Sequence, residues 1–366
     1  MKTTSLAYWI APALFTVLLI IGCGKDESEP DYSDPRGLQL SAVFNNGIVP
    51  AHAAFVAEAT ALQTAADAFA ANPDTQNLAE VQLRWRSATD QWKMCEVYDF
   101  GPVSNFFLHT RIHRWPVDTE GIDDAINAGE TIDEAYISSR GSSIIGLGTL
   151  EYLLFAEDES TTVQRFTNDA ARRDYLQALS HYLTTVATEL NNRWLEAGPA
   201  FTTNTGLSVG GGQNQFVNGL INQLDKTIRF RLRTPSGEES GEAPDASLVE
   251  TPFAAYSLAC LRAGFAEWEL AYYGGESAGN GYGFDDYLAE LGNTDVAPRI
   301  AAAIEKVAAN LDALSQRNTT LGELVTDDTA AISQLTADYQ ALLVLMRVDL
   351  SSSISVVLTV TDADGD

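Results

Sequence analysis

Cysteine is nearly absent, with three residues in 366, and no CxxC pair occurs, which excludes a four-cysteine zinc site and a disulfide-held scaffold. Basic residues are also scarce. Lys and Arg total 22 against 50 Asp and Glu, a net charge of -28, so no basic stripe can track a phosphate backbone and nucleic acid is excluded as a partner. Only four histidines are present, and none opens an HxxE or HExxH arrangement: the third residue after His52, His109, His113 and His181 is Phe55, Ile112, Pro116 and Thr184. No metallopeptidase core can be written from that set. Proline (12) and glycine (27) are too few for a collagen-like or disordered chain. Alternating strand patterns are rare, and only Ile354 to Thr361 reads as extended chain.

A single long hydrophobic run is present, and it lies at the N-terminus. Lys2 precedes an apolar stretch through Leu14, Phe15, Val17, Leu18, Leu19, Ile20 and Ile21, which meets Gly22 and Cys23. This is the layout of a lipoprotein signal peptide over 1–22, with the Cys23 thiol as the acylation target. The alternative is a plain transmembrane anchor, for which the run is borderline. Residues 23–37, rich in Lys25, Asp26, Glu27 and Glu29, read as an acidic tether to a membrane. The implied location is the bacterial cell envelope, on the periplasmic face of an outer membrane or on the cell surface.

Beyond the tether the apolar spacing is helical. Leu78, Val81, Trp85, Ala88, Trp92 and Cys95 fall at steps of three and four, as do Ile300, Ile304, Val307, Leu311 and Leu314, and Ile332, Leu335, Tyr339, Leu342, Met346 and Leu350. Leu179, Leu183, Val186 and Leu190 predict a long helix from about Thr162 to Trp194. Thr202 to Gly206 and Gly210-Gly211-Gly212 interrupt the pattern, because each glycine inside a helix costs about 1 kcal/mol. A second loop runs from Arg233 to Pro244. The expected fold is all-α: two consecutive four-helix-bundle-like domains packed side by side, over 38–200 and 201–366, the second with a short extended tail.

Several segments together resemble the imelysin family of bacterial envelope proteins. They are Trp85-Arg86-Ser87-Ala88 with Trp92 and Glu96, Phe100-Gly101-Pro102, Trp115-Pro116 with Asp118, and Gly146 to Phe155. Later counterparts are Lys226 to Gly237, the helix around Ser257, Tyr272-Tyr273-Gly274-Gly275 and Asp362-Ala363-Asp364-Gly365-Asp366. The resemblance implies two related helical bundles with a cleft near their interface, a role linked to iron uptake with its partner proteins, and a classification as metallopeptidases. The family motif GxHxxE reads here Gly146-Leu147-Gly148-Thr149-Leu150-Glu151, with glycine at the histidine position. Gly148 can neither ligate a metal nor move a proton. The reading that follows is a binding component linked to iron uptake; a metallopeptidase and a non-metal protein or peptide interaction module are the alternatives.

Glu151, Glu96 and Asp118 are the candidate metal ligands, for iron or another divalent or trivalent cation; Gly146, Gly148, Trp115, Glu267 and Ser257 are the candidate cleft residues. Glu151 sits on a helix that is apolar nearly all round, so its carboxylate needs an Arg, backbone donors, a ligand or a proton. Glu96 lies near a helix C-terminus, where the dipole disfavours an anion and a cationic partner is implied. Glu267 falls on the seam formed by Phe253, Tyr256, Cys260, Ala263 and Leu270, and suits an internal salt bridge, a hydrogen bond or a polar site. Asp118 follows Pro116 and suits a helix N-cap as well as a ligand. His109 and His113 share a face if 105–114 is helical, but Arg111 and Arg114 beside them favour ordinary surface histidines. Gly206 to Gly210 matches GxSxG by chance, since it lies in a loop of a helical chain. The acidic C-terminal motif reads as a solvated tail, lacking the Glu that completes a calcium loop. Cys95 and Cys260 could pair in an oxidising envelope or remain buried thiols.

Overall fold

In the computed structural model, residues 34–101, 103–104 and 107–359 are described. The leader, Cys23, most of the tether, Pro102 and the acidic tail at 362–366 lie outside the described residues. Helix α1 (Pro35–Ala42) begins where the tether was expected to continue. The Asp34 side chain caps it by accepting from the Arg36 N–H at 3.0 Å, and Gly37 is already buried, so 35–37 belong to the folded body.

A π-helical turn (Val43–Ile48) leads into α2 (Val49–Ala71), and α3 (Thr75–Glu96) follows, capped by Asp74 accepting from Asn77 N–H at 2.8 Å. Short helices α4 (Leu108–Ile112), α5 (Thr119–Asn127) and α6 (Glu134–Ser138) cross to α7 (Gly146–Phe155) and α8 (Glu159–Asn168). The expected single helix from Thr162 to Trp194 is broken at Asp169. That residue leaves helical geometry (φ -119°) and its carboxylate caps α9 (Ala170–Thr203) through the Arg172 N–H, an Asp–backbone bond that competes with helix continuation. The glycine loop separates α9 from α10 (Gly212–Lys226), which runs into a second π-helical stretch, Thr227–Arg233. The rest comprises α11 (Ser257–Tyr272), α12 (Phe284–Glu290), α13 (Val296–Ser315), α14 (Leu321–Asp327), α15 (Thr329–Val344), a third π stretch (Leu345–Leu350) and α16 (Ser351–Ser353). No strand occurs among the described residues: of the stretch expected to be extended, Ile354 and Ser355 form a turn, with Ser355 at φ 59°, and 356–359 carry no regular secondary structure.

The described residues belong to one compact unit. Within it α2 packs between α9 and α3, α3 packs on α11, and α11, α13 and α15 follow in sequence, with α10 and its π extension against α15. The seam where α3 meets α11 therefore joins the earlier helices to the later ones. Trp85, Trp92, Trp194 and Trp268 are all but fully buried in one continuous apolar core, where a buried large side chain contributes about 1.5–3 kcal/mol. Cys95 and Cys260 are both buried free thiols, so the pair does not form.

Candidate functional site

The seam carries a cluster of buried charges. Lys93 and Glu96 stand in the last turn of α3, Arg231 in the π stretch after α10, and Glu250 in the loop before α11. Lys93 Nζ donates to Glu96 Oε2 at 2.9 Å and to Glu250 Oε1. Arg231 Nη2 donates to both Glu96 oxygens at 2.8 and 2.7 Å, and Arg231 Nε to Glu250 Oε2 at 2.9 Å. The π stretch adds a residue to the helical turn, and Arg231 within it faces the seam; such turns recur at functional sites.

Two cations face two carboxylates here, and the Lys93–Glu250 and Arg231–Glu96 pairs span the seam. Burial alone would neutralise these groups, but mutual pairing overrides it. Desolvation pushes Glu250 upward, yet Arg231 and Lys93 together hold it down at about 2. Glu96 is likewise held well below the carboxylate range by Arg231 and Lys93 despite burial. Lys93 and Arg231 end raised, the adjoining carboxylates outweighing their desolvation. The half-buried indole of Trp115 lies over both cations, 5.9 Å from Lys93 Nζ and 5.3 Å from the Arg231 guanidinium carbon. A cavity of about 20 Å³ beside Lys93, Glu96, Arg231 and Cys260 has room for about one water.

His113 is the correction to the sequence reading. It is no surface histidine: α4 stops at Ile112, and His113 caps it in extended geometry and is buried. Its Nδ1 lies 3.5 Å from Glu250 Oε1, outside hydrogen-bond geometry, and neither ring nitrogen has a hydrogen-bond partner among the described residues. Burial, helped by Lys93, lowers its pKa to about 4, so the imidazole is neutral. The ring also approaches Gly148: a Cβ added there would lie 3.7 Å from His113 Cδ2 and 2.7 Å from the Arg114 carbonyl oxygen. The chain thus lacks a histidine at the motif position and places one from another element against it. His109 remains partly exposed, 3.4 Å from Asp99.

Glu151 projects from α7 toward the same loop that carries Glu250. Its Oε1 accepts the Ala254 N–H at 2.8 Å. Burial pushes its pKa up to about 8 against the pull of the Ala254 and Phe253 N–H groups, with Glu250 adding to the rise, so it is protonated at neutral pH. Ser257 pins that loop through its Oγ, 3.3 Å from Thr251 N and 3.2 Å from Thr251 Oγ1. Gly146 (φ 81°) opens α7 against the Ile112 and Arg111 carbonyls, where a side chain would clash.

The other predicted residues stand apart. Asp118 caps α5, accepting the Gly121 N–H at 2.9 Å. Glu267 accepts from the buried Tyr98 hydroxyl, and burial raises its pKa to about 7. Glu96 has its cations, Asp118 its cap and Glu151 its backbone donor. Among the described residues no group of three or more His, Cys, Asp and Glu is placed to hold a metal ion. Lys93, Arg231, Glu250 and His113 were missed from sequence. Lys93 and Glu96 at i,i+3 carried a signal, whereas Glu250 sits in a loop with no periodicity to mark it.

The Imelysin family model matches residues 48–347. The curated protein "Iron-regulated protein A" of Synechococcus elongatus is 27% identical over 199 residues, 51% of this chain and 52% of that one. The chain therefore matches only about half the length of that relative. An imelysin-like protein of Psychrobacter arcticum superposes with TM-score 0.75 at 19% identity, over 89% of this chain and 97% of its own. A structure described as an iron-regulated protein A precursor of Parabacteroides distasonis gives 0.73 at 18% identity, over 90% and 97%. At these identities the two structures establish the shared fold.

Proposed function

The chain belongs to the imelysin family, and on that premise we propose that it is a lipid-anchored envelope component linked to iron, which receives its ligand at the polar seam between the earlier and later helices. The name of the curated relative supplies the link to iron, and the sequence of 1–23 supplies the anchor. One observation carries the choice of locus. A buried, neutral His113, neither of whose nitrogens has a hydrogen-bond partner among the described residues, stands between Glu250 and Gly148, where α4, α7 and the loop before α11 meet.

In the closed arrangement the donors do not form a ready-made ion site, because Lys93 and Arg231 occupy the carboxylates. Binding a cation here requires the seam to shift and Glu151 to give up its proton, which would add a negative charge next to Glu250. The acidic surface of the whole chain concentrates cations around that opening.

The test is metal content by mass spectrometry on the full chain in detergent, after equilibration with ferrous iron, ferric iron or zinc. The expected result is about one iron retained per chain and its loss in Glu151→Gln with the fold intact. No retained metal in the wild type would overturn the iron reading and turn the search to a protein or organic ligand.

A further inference from the structure

A cavity of about 260 Å³ opens among α7, α8, the first turn of α9 and the loop before α11, and none of the seam residues lines it. Its apolar lining is Leu153, Phe253 and the ring of Tyr152, the last two meeting edge to face with centroids 5.6 Å apart. Arg165 and Arg172 line it as well. Arg165 is partly exposed and pairs with Glu157 at 2.5 Å. Arg172 is different. Its side chain is only 7% exposed, and its guanidinium carbon lies 5.9 Å from the centre of the Tyr152 ring and 5.7 Å from that of Phe166. Nη1 donates to Asp123 Oδ1 at a long 3.3 Å, while Asp123 Oδ2 takes the Tyr152 hydroxyl at 2.8 Å. The buried Nε has no hydrogen-bond partner among the described residues.

The helix does not account for this placement. Arg172 stands in the first turn of α9, whose positive end favours an acid over a cation. A guanidinium carries five N–H donors, and a charged donor held out of water without an acceptor is costly. The two oxygens of a carboxylate match the guanidinium fork and supply that acceptor. Charge selects among anions. Asp123 is 40% exposed and bonds Arg172 at long range, so water screens it and one further negative charge is accommodated. A dianion such as phosphate would bring two charges against Asp123 and Glu157. The volume is that of roughly nine waters at about 30 Å³ each, enough for one acid with a ring-sized body.

We infer that this cavity binds a small monocarboxylic acid with an apolar body. Arg172 takes the carboxylate on the Nε edge of its guanidinium, and Leu153, Tyr152 and Phe253 receive the hydrocarbon. The site goes beyond the iron reading and is tested without metal, so the failure of either leaves the other standing.

The probes are phenylacetate and isovalerate, followed by saturation-transfer NMR on the full chain in deuterated detergent at neutral pH, with detergent alone as the blank. At least one acid should bind with a Kd below about 1 mM. Its neutral amide, phenylacetamide or isovaleramide, should bind at least about tenfold more weakly. Folded Arg172→Lys, which keeps the charge and loses the fork, should weaken the acid by at least about tenfold too. Inorganic phosphate at about 10 mM should leave the acid in place. No binding of either acid overturns the inference, as does equal binding of acid and amide, or of the acid by wild type and folded Arg172→Lys. Displacement by phosphate overturns the assignment to a carboxylate. The amide comparison is made on the wild-type chain and decides the matter even where the variant fails to fold.

Discussion

Glu250 and Glu151 lie on neighbouring parts of one site and respond to pH in opposite senses. Glu250 is held at about 2, below its unfolded value, so the stability it supplies is complete above the ordinary carboxylate range and is lost as pH falls toward 2. Glu250→Gln leaves two buried cations with one carboxylate and should destabilise the protein by about 3–5 kcal/mol at pH 7. Urea unfolding at pH 7 and pH 3 should show that gap narrowing in acid; a gap unchanged between the two would contradict the assignment. Glu151 is raised to about 8, so the folded protein keeps a proton that the unfolded chain gives up. Its cost is absent below the unfolded carboxylate range and grows as pH rises from about 4.5 to about 8. Glu151→Gln should therefore gain on the wild type by about 3 kcal/mol between pH 5 and pH 8. Parallel melting curves that stay a constant distance apart across that range would refute a buried protonated Glu151.

At the scale of the element, α7 shows why a site can hinge on a glycine. A methyl at position 148 would press on the Arg114 carbonyl oxygen and on Val117 Cγ1 at 2.8 Å, and a backbone oxygen cannot swing aside as a flexible side chain can. Gly148→Ala should cost about 1–3 kcal/mol in denaturant unfolding and disturb the loop that carries His113. A neutral effect on stability would mean that α4 and α7 are looser than the packing indicates. The helices themselves were legible because three- and four-residue apolar steps are a local signal: Leu78 to Cys95 on α3 and Ile300 to Leu314 on α13 are buried as the spacing requires. The π stretches were not legible, since one added residue leaves the neighbouring apolar pattern intact while turning Arg231 into the seam. The break at Asp169 was likewise hidden, because an aspartate in a polar run gives no sign from spacing alone that it will cap the next helix.

Across the whole molecule, what sequence could not supply was which distant groups meet. Glu96 was expected to have a cationic partner, but Arg231 lies 135 residues away and Glu250 a further 19, and only the tertiary packing brings them together. His113 was discounted for its arginine neighbours, whose side chains turn outward while the imidazole turns in. The seam that results is charge-balanced inside a chain of net charge -28, and it couples the earlier helices to the later ones at the locus proposed for the ligand. The most direct test of that account is calorimetric titration of ferrous iron into the full chain and into His113→Gln, side by side at pH 7, with thermal melting as the control for folding. The account predicts saturable binding near one iron per chain in the wild type and at least about tenfold weaker binding in the folded variant. Equal affinity in both proteins would contradict it and remove the seam as the site.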